Sequence, residues 1–409
     1  AKSGERYVYA GSDTILAARA VREAFNNDAE WISFPHRELL WKLGMTRTLM
    51  VMAGGTGGHI FPAQAVAVAL NQAGWQVHWL GTSDRMEARL VPQFGWPFHT
   101  IEVAGLRGKG LLTKLTAPWM LVKSVWQARK VLKTVQPDLV LGFGGYASGP
   151  GGVAAWLNGR PLLIHEQNAV AGSTNRLLAR LAQKVMVAFP AAFAGNPKQQ
   201  VVGNPVRQEL IAVASTHDYS GALKVLVVGG SLGAQVLNQT LPGIFAKAAE
   251  CGALQVRHQT GSAQEQQTRQ QYQALTKDNL QFEVSAFIDN MADAYAWADV
   301  IICRAGASTV SEVASAGLAA MFVPLPSAID DHQTANARWL AEQDAALLVA
   351  QKDFNEPRLL PRLKTWLNNK TELQQMAARA RACALDDATA QVVALSQQAI
   401  SHQMAGQHL

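Results

Sequence analysis

The sequence predicts an α/β fold made of two doubly wound, Rossmann-like domains. The chain has 409 residues, which is long enough for two domains that each bury a core. From Leu49 onward, short apolar runs alternate with helical segments, as they do in βαβ units. Two of these runs lead into glycine-rich turns, LMVMAGGTGGH at 49–59 and KVLVVGGSLGA at 224–234. This repeated opening predicts two equivalent halves.

Ten apolar runs predict buried parallel strands, five in each half. In the first half, the runs are Leu49–Ala53, Val77–Leu80, Leu139–Gly142, Leu162–His165 and Lys184–Ala188. In the second half, they are Lys224–Val228, Leu254–Gln259, Phe282–Ala286, Val300–Cys303 and Ala320–Val323. Because the two series are of similar length, we place the domain boundary near Gly203–Val206.

Residues 1–44 differ from the rest of the chain. The segment from Ile15 to Phe25 predicts one amphipathic helix, but no motif is present, and Met45 opens the first strand. We interpret residues 1–44 as an N-terminal extension of unknown role. The alternative is an ordinary N-terminal helix that packs on the core.

Composition and charge limit the classes of protein that the chain can represent. Apolar residues make up 49% and charged residues 16%, which is typical of a globular protein and excludes a disordered chain. The net charge of +6 favours anionic partners, which include phosphates, acidic lipids and nucleic acids. No run approaches the ~18 consecutive apolar residues of a membrane span. We therefore expect that the protein lies on any membrane it meets.

The cysteines and the N-terminus indicate a reducing compartment. Cys251, Cys303 and Cys383 are far apart and form no CxxC pair, which argues against a zinc site or a disulfide framework. Arg19 and Arg22 interrupt the first apolar run, so that run does not fit a signal peptide.

The first glycine turn, at residues 54–59, is a candidate anion site. Its glycines let the backbone turn sharply, and the next helix offers free N–H groups to an oxyanion. Ile60 stands where the dinucleotide fingerprint GxGxxG has its last glycine, so dinucleotide binding is disfavoured. The alternative is a tight turn without a ligand. This alternative is weakened because the same turn occurs twice in the chain.

The second glycine turn also matches GxSxG, the nucleophile elbow of α/β-hydrolases. Ser231 would be the nucleophile, and the residues Asp299, Asp330 and His332 follow it in the right order. This gives a competing hypothesis, a serine hydrolase. Two equivalent halves argue against it, because a hydrolase of this class needs one sheet.

The chain resembles the MurG glycosyltransferase family, whose members add N-acetylglucosamine to lipid I in peptidoglycan synthesis. The matching motifs lie in family order and cover nearly everything from residue 45 onward. They are GGTGGH (54–59), GLRGKG (105–110), GFGGYASGPGG (142–152), HEQN (165–168), GNPVR (203–207), VVGGSLGA (227–234), FIDNMADAYAWADV (287–300), CRAGASTVSE (303–312) and DDHQTANA (330–337).

The resemblance implies a GT-B fold, in which two Rossmann-like domains face a cleft. The first domain would be residues 45–206, which bind the lipid acceptor and dock on the membrane, with the C-terminal helix 386–409 packing back on it. The second domain would be residues 207–385, which bind the donor UDP-GlcNAc.

The resemblance also implies a set of donor-binding residues. Glu312 would accept the ribose hydroxyls, Ile288 would contact uracil through its backbone, and Gln333 would contact the sugar. The positions that match the family's donor site are Thr56, Gly57, Gly58, Asn168, Arg207, Ser231, Ile288, Ala307, Ser308, Thr309, Val310, Ser311, Glu312 and Gln333. Without the resemblance, Glu312 would be interpreted as an acid that complements a helix N-terminus.

His59 matches the family's candidate catalytic base. An imidazole that titrates near neutral pH suits removal of a proton from the acceptor hydroxyl. The alternative is a histidine that only binds phosphate. Gly145 and Tyr146 open a further glycine turn that we expect to face the acceptor diphosphate, while His165 and Glu166 brace the loop that carries Asn168.

The departing diphosphate needs a stabilising group. The sequence contains no Asp-x-Asp motif, which argues against a metal clamp. By resemblance, Arg207 and the N-terminus of the helix after Ser231 hold the diphosphate. We therefore expect no metal and no cofactor, with UDP-GlcNAc as a substrate. The alternative for Arg207 is a surface salt bridge.

Residues 111–126, LLTKLTAPWMLVKSVW, combine large apolar side chains with lysines. Together with Lys109, the residues Lys114, Lys123 and Trp119 predict docking on an anionic bilayer. The alternative is that these apolar residues belong to an ordinary helix core.

The sequence thus predicts an inverting transferase on the cytoplasmic face of the bacterial inner membrane. Its expected partners are UDP-GlcNAc, a polyprenyl-diphosphate lipid, the anionic membrane, and other cell-wall and division proteins, but no nucleic acid. The first alternative is another UDP-sugar enzyme of the same fold, such as a 2-epimerase.

Overall fold

The computed structural model describes residues 46–103, 111–215, 217–230, 233–275 and 277–406. The extension at 1–44, the GLRGKG motif at 105–110, and Ser231 lie outside these residues. In the described chain the strands form two parallel sheets, one in each half. This confirms the prediction of two Rossmann-like domains.

The first sheet has the strand order β3-β2-β1-β4-β5-β6-β7, and every pair in it is parallel. Its strands are β1 (Thr48–Ala53), β2 (Gln76–Gly81), β3 (Phe98–Thr100), β4 (Leu139–Gly144), β5 (Leu162–Glu166), β6 (Lys184–Val187) and β7 (Gln199–Val201). The helices between them are α1 (Gly57–Gln72), α2 (Met86–Leu90), α3 (Leu111–Val135), α4 (Ser148–Leu157) and α5 (Ser173–Leu181).

The second sheet has the order β10-β9-β8-β11-β12-β13, again with parallel pairs. Its strands are β8 (Leu223–Val228), β9 (Leu254–Gln259), β10 (Leu280–Ser285), β11 (Val300–Cys303), β12 (Ala319–Phe322) and β13 (Leu347–Leu348). The helices from the domain connection to the C-terminus are α6 (Gln208–Ile211), α7 (Gln235–Ala248), α8 (Glu265–Ala274), α9 (Met291–Trp297), α10 (Ala307–Ala316), α11 (His332–Ala341), α12 (Glu356–Asn368), α13 (Thr371–Ala382) and α14 (Ala388–Gly406).

The central strands explain why the sequence predicts buried sheets. All residues of β4 are buried, and β1 is buried from Leu49 to Ala53, because helices cover both faces of each sheet. The ten predicted strands are present, but three short strands, β3, β7 and β13, were missed. Each has only two or three residues and no fully buried position. Strands β3 and β7 contain no apolar run, whereas β13 lies in the apolar segment 345–350, which the sequence analysis overlooked.

The chain crosses between the domains twice. After the first crossing near Gly203, helix α14 returns to the first domain, where Val392, Leu395 and Ile400 join the core that also contains α1. Gly203 and Leu385, which lie on the two crossings, line one small pocket and are therefore neighbours. Within the described chain, no helix has the length and apolar character needed to span a membrane.

Candidate active site

The two domains meet through loops that follow the carboxyl ends of their strands, where open α/β sheets bind ligands. Helix α1 of the first domain contacts helix α10 of the second. The Arg176 guanidinium donates to Asp330 Oδ2 at 3.2 Å across the same junction. The predicted base and the predicted donor site are therefore brought together.

His59 lies in the first turn of α1 and its imidazole is held by the glycine turn. Its Nδ1 is 3.2 Å from the Gly54 carbonyl oxygen and 3.4 Å from Thr56 Oγ1. A carbonyl can only accept, so Nδ1 carries the proton and Nε2 keeps its lone pair. A Cβ at Gly144 would lie 3.1 Å from Nε2, so glycine at that position leaves this nitrogen accessible.

The surroundings of His59 keep it neutral at pH 7. Burial lowers its pKa below 6.5, and His332 of the second domain lowers it further. Glu166, the Gly54 carbonyl and Glu87 act in the opposite direction and raise the pKa. The result is an uncharged imidazole whose Nε2 can accept a proton, as a general base requires.

The predicted acceptor residues stand beside His59. Gly144 ends β4 and Gly145 follows it, with φ of +98° and +90°, and Gly145 lies against the Gly54 backbone. Tyr146 comes next and is 46% exposed, and the Arg85 guanidinium lies 5.1 Å from its ring centroid. An exposed aromatic ring beside an arginine can receive an anionic, partly apolar ligand.

Buried groups brace the loop after β5. Glu166 is buried and accepts hydrogen bonds from the backbone and side chain of Asn168, from Gly172 N and from Asn175 Nδ2. His165 Nε2 donates to the Gly203 carbonyl at 2.9 Å, and burial lowers its pKa to about 4, which keeps it neutral. These contacts support the expectation that both residues hold Asn168 in place.

Asn336 connects the domains, a role that the sequence did not reveal. Its buried amide accepts from Ala169 N at 2.7 Å and donates to Asn168 Oδ1 and to the Ala305 carbonyl, both at 3.2 Å. The residue therefore ties the β5 loop of the first domain to the second domain, next to Asn168.

Replacing Asn336 with alanine is expected to lower the free energy of unfolding by about 1–3 kcal/mol, because buried partners lose their hydrogen bonds. The matched control is Arg176→Ala, which removes an exposed ion pair and should cost less than about 1 kcal/mol. Urea unfolding measures both. An Asn336→Ala protein as stable as the wild type would show that these bonds do not hold the domains together.

The predicted donor residues lie at the start of α10. Gly306 precedes the helix without a side-chain cap, so the first N–H groups remain available to an anion. Among the described residues, no group bonds the buried Ser308 Oγ. The segment Ala307, Ser308, Thr309, Val310, Ser311 thus combines free backbone donors with an unused hydroxyl.

Glu312 lies one turn into α10, between Tyr295 and Arg207. The Tyr295 hydroxyl donates to Oε2 at 3.3 Å, and Arg207 Nη2 lies 3.9 Å from Oε1. Burial raises the pKa of Glu312, while Arg207 and Tyr295 lower it. Arg207 therefore contacts Glu312, and Tyr295 is a neighbour of Glu312 that the sequence analysis missed.

The other predicted donor residues differ in their contacts and in their exposure to solvent. Gln333 Oε1 accepts from Leu325 N at 2.9 Å, which orients its amide toward that loop. Ile288 is half-buried against the second-domain core, next to the exposed Phe287. Thr56 is exposed, and Gly57 and Gly58 are half-buried at the start of α1.

The position of Asp299 removes one of the two candidate acids from the serine hydrolase hypothesis. This buried carboxylate accepts from Lys224 N and from Lys370 Nζ, both at 2.8 Å. It therefore lies at the amino end of β8 and β11, whereas the glycine turn with Ser231 follows the carboxyl end of β8. Asp299 therefore lies at the end of β8 opposite to Gly229 and Gly230, which open the glycine turn, and it cannot serve a triad at that turn. Asp330, the other candidate acid, pairs with Arg176 of the first domain.

Comparison with known proteins places both halves in one group. Residues 49–187 match the glycosyltransferase family 28 N-terminal domain, and residues 224–392 match the family's C-terminal domain. The UDP-N-acetylglucosamine–N-acetylmuramyl-(pentapeptide) pyrophosphoryl-undecaprenol N-acetylglucosamine transferase of Aeromonas hydrophila is 55% identical, over 85% of this chain and 96% of that protein. The protein of the same name from Psychromonas ingrahamii is 50% identical, over 87% of this chain and 99% of that protein.

A solved structure agrees with these relatives. The crystal structure of Acinetobacter baumannii MurG is 43% identical, with a TM-score of 0.75, over 86% of this chain and 99% of that chain. The chain belongs to the MurG family. Membership in the MurG family confirms the GT-B fold and decides against the 2-epimerase alternative.

Proposed function

We propose that this chain transfers N-acetylglucosamine from UDP-GlcNAc, with inversion, to the muramoyl sugar of undecaprenyl-diphospho-muramoylpentapeptide, converting lipid I to lipid II. The observation that carries the proposal is the 55% identity to a transferase of that name, over 96% of its length. The site between the domains supplies the chemistry that such a transfer needs.

The acceptor is activated by His59. In a single displacement, the acceptor hydroxyl gives its proton to His59 Nε2, and its oxygen forms the new bond to the sugar's anomeric carbon. The bond from that carbon to the UDP oxygen breaks, and its electron pair leaves with UDP. The Nδ1–H bond to Gly54 supports this role because it leaves Nε2 as the basic nitrogen.

The donor is held by the second domain. Glu312 binds the ribose hydroxyls, and Arg207 turns from Glu312 to the diphosphate when the donor enters, together with the helix N-terminus after Ser231. Ile288, Gln333, Asn168 and the segment 307–311 complete the donor site. We propose that the reaction needs no metal or cofactor, because these groups stabilise the departing charge.

The test is an assay with radiolabelled UDP-GlcNAc and lipid I in detergent. We expect label in the lipid fraction, unchanged by EDTA. Label that stays in the aqueous phase as an epimerised nucleotide sugar would contradict the transferase, and loss of transfer with EDTA would contradict the metal-free mechanism.

An apolar face on α3 supports docking on a membrane. Trp119 is 74% exposed and Trp126 is 65% exposed, and Val122 lies between them on the same side of the helix. Exposed Arg129 and Lys130 continue this face. Such a combination suits the anionic surface of the cytoplasmic leaflet, where the polyprenyl tail of the acceptor is anchored. Other cell-wall and division proteins are further proposed partners there.

The three lysines that were predicted to dock on the membrane do not all offer a free positive charge among the described residues. Lys123 donates to Glu102 at 2.7 Å, so its charge is partly neutralised. Lys109 and the side chain of Lys114 lie outside the described residues. The docking surface is therefore defined here by Trp119, Val122, Trp126, Arg129 and Lys130.

The double variant Trp119→Ser/Trp126→Ser is expected to weaken binding to anionic vesicles, because both exposed indoles lose their contact with the acyl boundary. Arg129→Glu/Lys130→Glu should weaken it too, since each cation near the surface contributes on the order of 1 kcal/mol, and salt should screen this part. The control is Leu275→Ser, an exposed apolar residue of the second domain. Vesicle sedimentation measures this binding. If both double variants bind vesicles as well as the wild type does, the protein docks through another surface.

A further inference from the structure

Glu87, in the first turn of α2, is a buried carboxylate that the sequence analysis did not single out. It is 1% exposed and accepts three hydrogen bonds. Gly55 N donates to Oε2 at 2.9 Å, while Thr82 N and Thr82 Oγ1 donate to Oε1 at 3.2 and 2.8 Å. Among the described residues it forms no ion pair, so its charge is balanced by neutral donors alone.

The carboxylate occupies the space where a side chain at residue 54 would stand. A Cβ on Gly54 would lie 2.5 Å from Glu87 Oε1, so only glycine lets Glu87 approach the turn. The same Gly54 carries the carbonyl that holds His59 Nδ1. Glu87 thus holds the glycine turn through Gly55 N, and the turn holds the His59 imidazole through the Gly54 carbonyl.

The equivalent turn in the second domain is held differently. Gly230 N donates to Gln259 Oε1 at 3.1 Å, and Gln259 Nε2 donates to the carbonyls of Gly230 and Ala286. The neutral amide of Gln259 therefore binds the second turn in the way that the carboxylate of Glu87 binds the first. A carboxylate favours a positive charge on a group close to the first turn, whereas the neutral amide adds no such charge effect at the second turn.

We propose that Glu87 is a positioning residue for proton abstraction, whose carboxylate fixes the Gly54 carbonyl on His59 Nδ1–H and stabilises the imidazolium that forms when Nε2 takes the acceptor proton. The inference rests on the proposed role of His59 as the base. The two glycine turns would then have different roles. The first would orient the base His59, and the second would bind the departing diphosphate.

The electrostatics of His59 agree with this arrangement. Burial lowers its pKa most strongly, and His332 adds to that effect. Glu166, the Gly54 carbonyl and Glu87 raise the pKa, so removal of the Glu87 charge makes His59 a weaker base. Glu166 lies on the β5 loop and remains in place when only Glu87 is changed.

The test is Glu87→Gln, which keeps the shape but removes the charge and places an N–H against a donor. We expect kcat to fall roughly tenfold, less than the 10²–10⁴-fold that loss of the general base itself would cost. The acid limb of the kcat–pH profile should move to lower pH, while the KM for UDP-GlcNAc is unchanged. In NMR titrations of the variant, the His59 imidazole should titrate at lower pH than in the wild type.

The matched control is Thr82→Val, which removes one hydrogen bond to Glu87 but keeps the charge. We expect Thr82→Val to leave the acid limb of the kcat–pH profile in place, because the Glu87 charge that acts on His59 is kept. A downward shift equal to that of Glu87→Gln would overturn the proposal. A Glu87→Gln protein whose kcat falls without any shift of the limb or of the His59 titration would equally overturn it.

Two further outcomes separate this inference from the proposed function. If Glu87→Gln does not fold, the nitrogen shifts of His59 in the wild type decide, because they must report a proton on Nδ1, and the opposite tautomer would overturn the proposal. If His59 titrates as expected but His59→Ala keeps its kcat, then the role of His59 as the base fails while the electrostatic coupling to Glu87 stands.

Discussion

Replacing His59 with alanine is expected to lower kcat by roughly 100-fold or more, the usual scale for loss of a general base. The acceptor hydroxyl then has no group to take its proton at the moment the new bond forms. UDP affinity should change little, because we propose that the nucleotide binds the second domain. Steady-state kinetics with UDP-GlcNAc and lipid I, together with calorimetric binding of UDP, measure both effects.

The pH profile gives this prediction a second readout. The pKa of His59 is lowered from 6.5, so the imidazole is already deprotonated at pH 7, and the wild-type kcat should fall only below about pH 6.5. His59→Ala should lose this acid limb. A variant that keeps both kcat and the limb would remove His59 from the mechanism.

Replacing Glu312 with glutamine is expected to raise the KM for UDP-GlcNAc roughly 10- to 100-fold, because hydrogen bonds to a charged group contribute about 1.5–3 kcal/mol. The amide keeps the shape of the side chain but offers the ribose only one acceptor oxygen. The KM for the lipid acceptor should not change, since we propose that this substrate binds the first domain.

The control for Glu312 is Tyr295→Phe, which removes the hydroxyl that donates to Oε2 and leaves the carboxylate in place. We expect a much smaller rise in the donor KM. A defect confined to the acceptor in Glu312→Gln would show that the assignment of substrates to the two domains is reversed.

Much of the fold follows from the sequence because parallel strands covered on both faces are continuous apolar runs. The segments Leu49–Ala53 and Leu139–Gly142 are such runs, and each lies within an observed strand. Strands β3 and β7 could not be predicted this way. They lie at the edges of the first sheet, where one side has no neighbour and half-buried residues suffice.

The site was predictable where a motif is local and unpredictable where contacts cross the chain. The glycine turn and His59 lie within six consecutive residues. By contrast, Glu87 reaches Gly55 across 32 residues, and Asn336 reaches Ala169 across 167. No spacing rule connects such pairs, because the fold itself brings them together.

The family assignment decides against the hydrolase hypothesis, and Asp299 shows why its pattern was a weak guide. The order of Ser231 and Asp299 in the sequence satisfies the hydrolase pattern, but order does not say at which edge of a sheet a residue lies. Asp299 bonds Lys224 N at the start of β8, one strand length away from the turn that follows it.

The most direct test of the division between the domains is a crystal structure of the chain with UDP-GlcNAc. We expect that the ribose hydroxyls bind Glu312 and that Arg207 contacts the diphosphate in place of Glu312. We also expect that the anomeric carbon faces His59 Nε2 across the cleft. A nucleotide bound instead at the first glycine turn, with Glu312 and Arg207 still paired, would contradict it.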